Sequence, residues 1–330
     1  MFKVKPYFYD NFVCKADKCG DTCCAGWEID IDNDTLQKYN NVKGDFSEVL
    51  RSGISLNDNI YSFRLKEDER CWFLAENGLC DIYSNLGKDF LCDICREHPR
   101  FYNYYDNSIE KGLGLCCERV CEMLFENDNP FFLSVSGEIP NDDYYDLFVL
   151  RKQCFDMISD KKNYLCDNIA RLLLFAIEIQ KAYFEDEFNI AECEDKLSLF
   201  KNLLNLYSET EPVNREWVDL LQELSDNIDK VVAVSDSFDF NDVYYEKTLS
   251  YILYRHLIES AFNGSFIGGI SFAVSAVVFI HMINCLHFVK YGKITVSDII
   301  NSVKLWSKQT EYSRENTDFL IERTVDIFYN

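Results

Sequence analysis

Residues 14–32 read CKADKCGDTCCAGWEIDID, four cysteines spaced Cys14-x4-Cys19-x3-Cys23-Cys24 and followed by Ala25-Gly26-Trp27. Three further blocks lie downstream. Cys71-Trp72-Phe73-Leu74 runs on to Gly78-Leu79-Cys80-Asp81-Ile82-Tyr83; Cys92-x2-Cys95-Arg96 precedes His98-Pro99-Arg100; and Leu115-Cys116-Cys117-Glu118 leads to Cys121. Short spacings let a tight loop aim two sulfurs at one centre, while distant pairs close the site and set the fold around it. One Cys-x2-Cys would say little; four blocks in one region point to metal. Spacing alone leaves Zn and an iron–sulfur cluster equally open, because both accept four thiolates. Adjacent side chains diverge, so Cys23 and Cys24 are not expected to bind the same ion; one is buried or serves a second ion.

The cysteines divide the chain. Eleven of the fifteen lie at or before Cys121, whereas Cys154, Cys166, Cys193 and Cys285 are scattered and are expected to be plain buried thiols. The expected architecture is mainly α: a cysteine-rich metal-binding or iron–sulfur-binding N-terminal third (1–125) with short irregular or β elements, a connector (126–143), and a larger all-helical domain (144–330). Abundant Tyr and Phe with only five Pro suit packed helices. Apolar periodicity predicts helices over 144–184, 194–207, 215–232, 243–262, 270–289, 295–306 and 314–328. A short strand or turn is expected near 27–31. The segment 260–289 carries no Asp, Glu, Lys or Arg and is long enough to span a bilayer. Asn263, Gly264, Gly268, Gly269 and Asn284 interrupt it, so a turn followed by a buried core helix is the expectation.

Charge narrows the partners. The 33 Lys and Arg stand against 56 Asp and Glu, a formal charge of −23. Such a surface repels phosphate backbones, so no nucleic-acid partner is expected; it could attract a basic, lysine-rich partner, but an acidic surface that merely keeps the protein soluble is the favoured reading. The opening MFKVKPYFYDNFVCKADKCG has no apolar run ahead of its polar stretch, so no signal peptide is expected. A reducing, cytoplasmic setting follows, in which clustered thiols bind metal rather than pair as disulfides.

Taken together, CKADKCGDTCCAGWEIDID, CWFLAENGLCDIY (71–83), LGKDFLCDICREHPRFY (86–102) and EKGLGLCCERVCEML (110–124) resemble the flagellin lysine-N-methylase family. That family sits within a group named for a Cys-x-x-Cys-x-x-Cys-Cys motif. YYEKTLSYILYRHLIESAFNG (244–264) and LWSKQTEYSREN (305–316) are similar to its C-terminal helical segments, while 141–232 is least distinctive. The resemblance implies an enzyme that methylates lysines of a protein such as flagellin, using S-adenosylmethionine and a 4Fe–4S cluster, with Zn as the alternative metal. Carried over by position, the metal candidates are Cys14, Cys19, Cys23, Cys24, Cys71, Cys80, Cys95 and Cys117. Cys92, Cys116 and Cys121 fall where relatives vary. Trp27, Arg96 and Arg100 are the cofactor-binding candidates; the two guanidiniums either pair bidentately with a cofactor carboxylate or, equally, pair with acidic neighbours in a charge-rich chain. Gly78 and Pro99 match recurring positions, His98 is expected to pack, and no catalytic residue can be assigned.

Two departures matter. The Cys-x3-Cys-x2-Cys triad of enzymes that cleave S-adenosylmethionine reductively is absent, and so is a strand-linked G-x-G-x-x-G loop. Arg255, His256 and residues 311–316 could line a substrate cleft or form caps and ion pairs, the structural roles being favoured. The competing function is a non-enzymatic Zn- or iron–sulfur-stabilised binding or scaffold protein.

Overall fold

A computed structural model describes residues 1–192, 195–236 and 242–330. Cys193 and Glu194, the first residue of one expected helix, lie outside the described residues. Strand β1 (Phe2–Pro6) buries Phe2, Val4 and Pro6 and exposes or half-exposes Lys3 and Lys5, the period-two pattern of a half-buried strand. Helices α1 (Asn33–Asn40) and α2 (Phe46–Ser52) follow, then the hairpin β2 (Ile54–Asn57) and β3 (Ile60–Phe63). Its two turn residues, Asp58 and Asn59, take φ of 49° and 66°, the left-handed geometry that a two-residue hairpin loop requires. The short helices α3 (Asp81–Leu86) and α4 (Asp93–Glu97) precede a second hairpin, β4 (Arg100–Tyr105) and β5 (Ser108–Leu113), and helix α5 (Glu118–Phe125). Strand β6 (Leu133–Ser136), inside the expected connector, completes a four-stranded sheet of order β4-β5-β1-β6. In it β1 runs parallel to β5 and antiparallel to β6.

Helices occupy the rest: α6 (Asp143–Ile158), α7 (Leu165–Phe184), α8 (Lys196–Ser208), α9 (Arg215–Val234), α10 (Asp242–Phe262), α11 (Phe266–Tyr291), α12 (Val296–Glu311), α13 (Arg314–Arg323) and α14 (Val325–Phe328). The chain is thus mainly helical with small sheets, as the composition suggests. The apolar stretch becomes α11, whose residues from Phe266 to Leu286 are nearly all buried. It is long and apolar enough to cross a membrane by length alone, but here it is the central core helix. Gly264, at φ +90°, makes the expected turn ahead of it, and the Ser265 hydroxyl accepts from the Gly268 amide at 3.0 Å as its cap.

Other expectations are corrected. The single helix over 144–184 is two, because Ser159 to Tyr164 form a turn that Asn168 stabilises by donating to the Ile158 and Asp160 carbonyls. The last helix likewise breaks at Thr324 into α13 and α14. No strand forms at 27–31; Asp30 makes an isolated bridge with Ser62, the Ile31 amide donates to the Tyr61 carbonyl at 2.7 Å and the Phe63 amide to the Ile29 carbonyl at 3.0 Å. Cys154 and Cys285 are buried as expected, but Cys166 is exposed, since it sits on the solvent side of the first turn of α7.

Two cores result. The larger joins the sheet and α5 to the helices. Glu110 of β5 and Arg151 of α6, both fully buried, pair there, and the Tyr144 hydroxyl donates to the same carboxylate at 2.8 Å. The Tyr251 hydroxyl of α10 accepts from the Leu113 amide at 2.9 Å and donates to its carbonyl at 2.5 Å. The smaller core lies between residues 29 and 92 and includes Ile29, Tyr39, Leu50, Phe63, Phe73 and Ile82, with Cys71 and Cys92 among its buried members.

Candidate functional site

The cysteines fall into two neighbourhoods. One is built on α5, whose N-cap is Cys117. Loop 14–23 is fastened to the first turns of that helix: Lys15 pairs with Glu118 and, at 2.6 Å, with Glu122, and the Gly20 amide donates to Glu118 at 3.1 Å. On its other side Asp21 pairs with Lys304 at 3.1 Å and Lys308 at 2.5 Å, both on α12. Cys14 and Cys117 lie within electrostatic range of Cys23, and Cys14 and Cys19 within range of Cys117. Cys14 and Cys23 are exposed, and Cys19 and Cys117 half-buried. Burial pushes the Cys117 thiol up to about 11.

The second neighbourhood is enclosed. Cys24, Cys71, Cys80, Cys92 and Cys95 line a cavity of about 20 Å³ whose other walls are Ile29, Phe63, Phe73, Leu74, Ile82 and Leu91. Local structure aims each sulfur. The Cys71 amide donates to the Cys24 carbonyl at 2.7 Å, a bridge joins Leu74 to Cys80, and Cys80 and Cys92 are the N-caps of α3 and α4. Gly78, at φ +78°, turns the chain between Cys71 and Cys80. Burial holds the Cys71 thiol up to about 12 and raises Cys80. The Cys95 thiol bonds the Cys92 sulfur, lowering Cys92 and raising Cys95. The Cys23–Cys24 pair marks the seam: the Cys23 thiol bonds the Cys24 sulfur, drawing Cys24 down to about 7, yet only Cys24 lines the cavity.

These donors fit a thiophilic centre in type, number and apolar surroundings, since soft thiolates select Zn or iron–sulfur cores. They are not preset around one ion. Among the described residues, no three His, Cys, Asp or Glu side chains stand close enough together to grip one. Of the cysteines at variable positions, Cys92 belongs to the cavity, whereas Cys121 is buried and donates to the Leu115 carbonyl at 3.0 Å.

Beside the first neighbourhood opens a cleft of about 750 Å³ between β4, α7, α10 and α12–α14. Six carboxylates line it (Asp186, Glu259, Glu311, Asp318, Glu322 and Asp326) against two guanidiniums, Arg255 and Arg314. At its base Glu311, 1% exposed, holds Arg255 at 3.1 Å and His256 at 2.8 Å and accepts from Ser307. Burial alone would raise the Glu311 carboxyl; Arg255 first and His256 second outweigh it and hold it below the usual carboxylate range. Tyr312 joins cleft to cysteines. Its buried hydroxyl has no well-aligned hydrogen bond, and the Cys116 sulfur is a polar neighbour. Its ring lies 5.3 Å from that of Trp27, whose indole N–H donates to the Cys23 carbonyl at 2.9 Å.

The structure therefore places Trp27 between cleft and cysteines. It places Arg96 against Asp93 and Glu97, and Arg100 over the Phe12 ring at 5.2 Å. Neither lines the cleft; on β4 it is Phe101 and Asn103, of the opposite parity to Arg100, that do. His98 packs, its ring 6.0 Å from Trp27, and burial pushes it down to about 4. Arg255, His256, Glu311, Tyr312 and Arg314 converge on the cleft, while Ser313 of the same segment caps α13. Sequence reasoning missed Glu259, Asp318 and Glu322. Glu259 was within reach, one helical turn beyond Arg255.

Comparison with known proteins bears out the resemblance. The chain is 28% identical over 136 residues to a Salmonella muenchen protein named flagellar biosynthetic protein FliU, covering 39% of this chain and 80% of that one. It is 29% identical over 137 residues to proteins named lysine-N-methylase from Salmonella choleraesuis and Salmonella typhimurium, covering 40% of this chain. The match spans only about a third (34%) of the length of those two methylases. No family model and no solved structure matches.

Proposed function

We propose that the protein is an S-adenosylmethionine-dependent protein-lysine N-methyltransferase with a cysteine-held 4Fe–4S centre, acting in the cytoplasm on a lysine-bearing protein such as flagellin. One observation carries this reading: an acid-lined cleft of about 750 Å³ abuts a cysteine cluster through Tyr312 and Trp27. Names of relatives support the reaction class.

Cys14, Cys19, Cys23 and Cys117 would hold the cluster nearest the cleft. When bound, cluster and cofactor supply the activated methyl group. The chain's own residues do the rest. Glu259, Asp318 and Glu322 attract a lysine ammonium, and also a cationic sulfonium, by simple Coulomb attraction. Glu311 keeps Arg255 fixed, so its guanidinium is a positioned cation in a mainly acidic wall and can meet a cofactor carboxylate. Trp27 and Tyr312 form an aromatic partition that limits water between cleft and sulfurs. A purely scaffolding role would leave a cleft of this size and charge beside the thiols without use.

The test is anaerobic purification with iron, zinc and acid-labile sulfide assays, then incubation with methyl-labelled cofactor and purified flagellin. Label is expected on flagellin lysines, and iron with matching sulfide in the enzyme. Stoichiometric zinc without sulfide, or metal-loaded enzyme that labels no lysine, refutes the proposal.

A further inference from the structure

We infer that the free edge of β4 docks an extended, lysine-bearing segment of the protein substrate, which adds to the sheet as a further strand and lays its lysine into the acidic cleft. The inference rests on the methyltransferase reading above and deepens it by naming how the substrate is presented.

Hydrogen-bond parity fixes which backbone groups are free. The Phe2 amide donates to the Asn107 carbonyl at 2.8 Å and β1 runs parallel to β5, so the odd-numbered residues of β5 aim their peptide groups at β1. The Tyr251 hydroxyl takes up both the amide and the carbonyl of Leu113, in keeping with that parity. The even-numbered residues Ser108, Glu110 and Gly112 therefore bond β4, through Tyr105, Asn103 and Phe101. The amides and carbonyls of Tyr102 and Tyr104 point the other way, off the sheet. Strand β4 ends the strand order, and among the described residues no hydrogen bond reaches those four groups.

The edge is also unguarded. Exposed edges are normally blunted by lysine, proline, a bulge or shortness. Residues 101–105 read Phe-Tyr-Asn-Tyr-Tyr, without charge or proline, and pair with β5 in unbroken register. The opposite edge, β6, is only four residues long.

Position selects the occupant. Side chains alternate along a strand and share a face with those directly opposite on a neighbour. Phe101 and Asn103 line the cleft together with Glu259, Asp318 and Glu322. The Phe101 ring leans inward over β5, where a Cβ on Gly112 would lie 2.0 Å from it, so the ring leaves the outer edge open. A residue docked opposite Phe101 or Asn103 thus turns its side chain toward the carboxylates, which favour a lysine ammonium. Main-chain bonds to Tyr102 and Tyr104 supply affinity and the cleft supplies selectivity, the division of labour in strand addition. A second copy docked edge to edge would instead bring together two acidic clefts of a chain with formal charge −23.

The test uses the full-length protein, purified anaerobically, with a lysine-bearing flagellin peptide, read by single-residue amide hydrogen exchange and by calorimetry. Peptide is expected to slow exchange at Tyr102 and Tyr104. Tyr104→Pro deletes one outward donor without removing a bond to β5, a change that edge strands tolerate, and should weaken binding about three- to tenfold. Val135, opposite Val4, likewise aims its amide off the sheet, so Val135→Pro is the matching change on the far edge and should leave affinity unaltered. Should Tyr104→Pro not fold, exchange in wild type decides alone. Peptide that is methylated while both amides exchange as fast as in the free protein overturns the strand inference and leaves the methyltransferase reading standing. Equal weakening by Val135→Pro, or a dimer that Tyr104→Pro dissolves, does the same. Peptide neither bound nor methylated overturns both.

Discussion

Replacing Glu311 by glutamine keeps its shape and removes its charge at the base of the cleft. The carboxylate is 1% exposed and is held by Arg255 at 3.1 Å and His256 at 2.8 Å. Breaking a fully buried pair by removing one partner costs about 3–5 kcal/mol, mostly through the charge left behind. Here Arg255 is 19% exposed and its guanidinium keeps a cation–π contact with Phe101 at 4.6 Å. Solvent in the cleft screens the stranded cation further, so about 2–3 kcal/mol is expected. With about 2.1 cal/mol/K of unfolding entropy per residue, a 330-residue chain should lose about 3–4 °C in Tm. The decisive assay is a double-mutant cycle by urea unfolding with Glu311→Gln, Arg255→Met and both. Coupling of about 1.5–2 kcal/mol is expected, the double variant being less unstable than the sum of the singles. Additivity within about 0.5 kcal/mol would show that the pair is not a unit and refute the reasoning.

Asp318→Asn with Glu322→Gln removes two carboxylates from the cleft lining; at about 0.7 kcal/mol per charge at about 6 Å in water, a lysine-bearing flagellin peptide should bind about tenfold more weakly at low salt. That difference should shrink at high salt, and equal affinity by calorimetry at low salt would contradict it. His98, pushed from 6.5 to about 4 by burial and secondarily by Lys308, gives a pH signature. Because its folded value is the lower one, the unfolded chain binds more protons between pH 6.5 and 4, and stability falls as pH drops through that window by at most about 3 kcal/mol. His98→Phe should flatten that acid limb in urea midpoints measured against pH, and an unchanged limb would exclude the assignment. Gly264→Ala forces a Cβ into φ +90° and should cost about 1–2 kcal/mol, with Gly264→Asn costing less; equal midpoints for all three proteins would contradict a strained turn.

Helices were legible where a single face was apolar or where charge vanished. The run from Ser260 to Val289 announced α11 because a helix buried all round needs apolar residues all round. The breaks were harder to read. Nothing between Ile158 and Leu165 is a strong helix breaker, and the turn depends on Asn168 bonding back to the Ile158 and Asp160 carbonyls, a tertiary arrangement that periodicity does not record. Short β elements were expected in the first third, but their pairing into one four-stranded sheet escaped for a similar reason. Strand β1 pairs in parallel with β5 more than a hundred residues away, and β6 lies in a stretch whose Pro, Asn and Asp content reads as connection.

The site was legible in its chemistry and not in its partition. Cysteine spacing reports which sulfurs are near along the chain, and by that measure Cys23 and Cys24 belong together. What separates them is the backbone bond from the Cys71 amide to the Cys24 carbonyl, which pulls Cys24 toward the small core while loop 14–23 stays fastened to α5 by Lys15 and Gly20. The cleft was hidden by the same distance effect. Its walls come from β4, α7, α10 and α12–α14, so its six carboxylates look, in sequence, like ordinary solvated charges in an acidic chain. Only when α10 and α12 both pack on α11 does Glu311 meet Arg255 and His256, and the surplus of negative charge acquires a location. The acidity of the whole chain is therefore uninformative about substrate, whereas its concentration around one concave surface next to thiols favours a cation at that place.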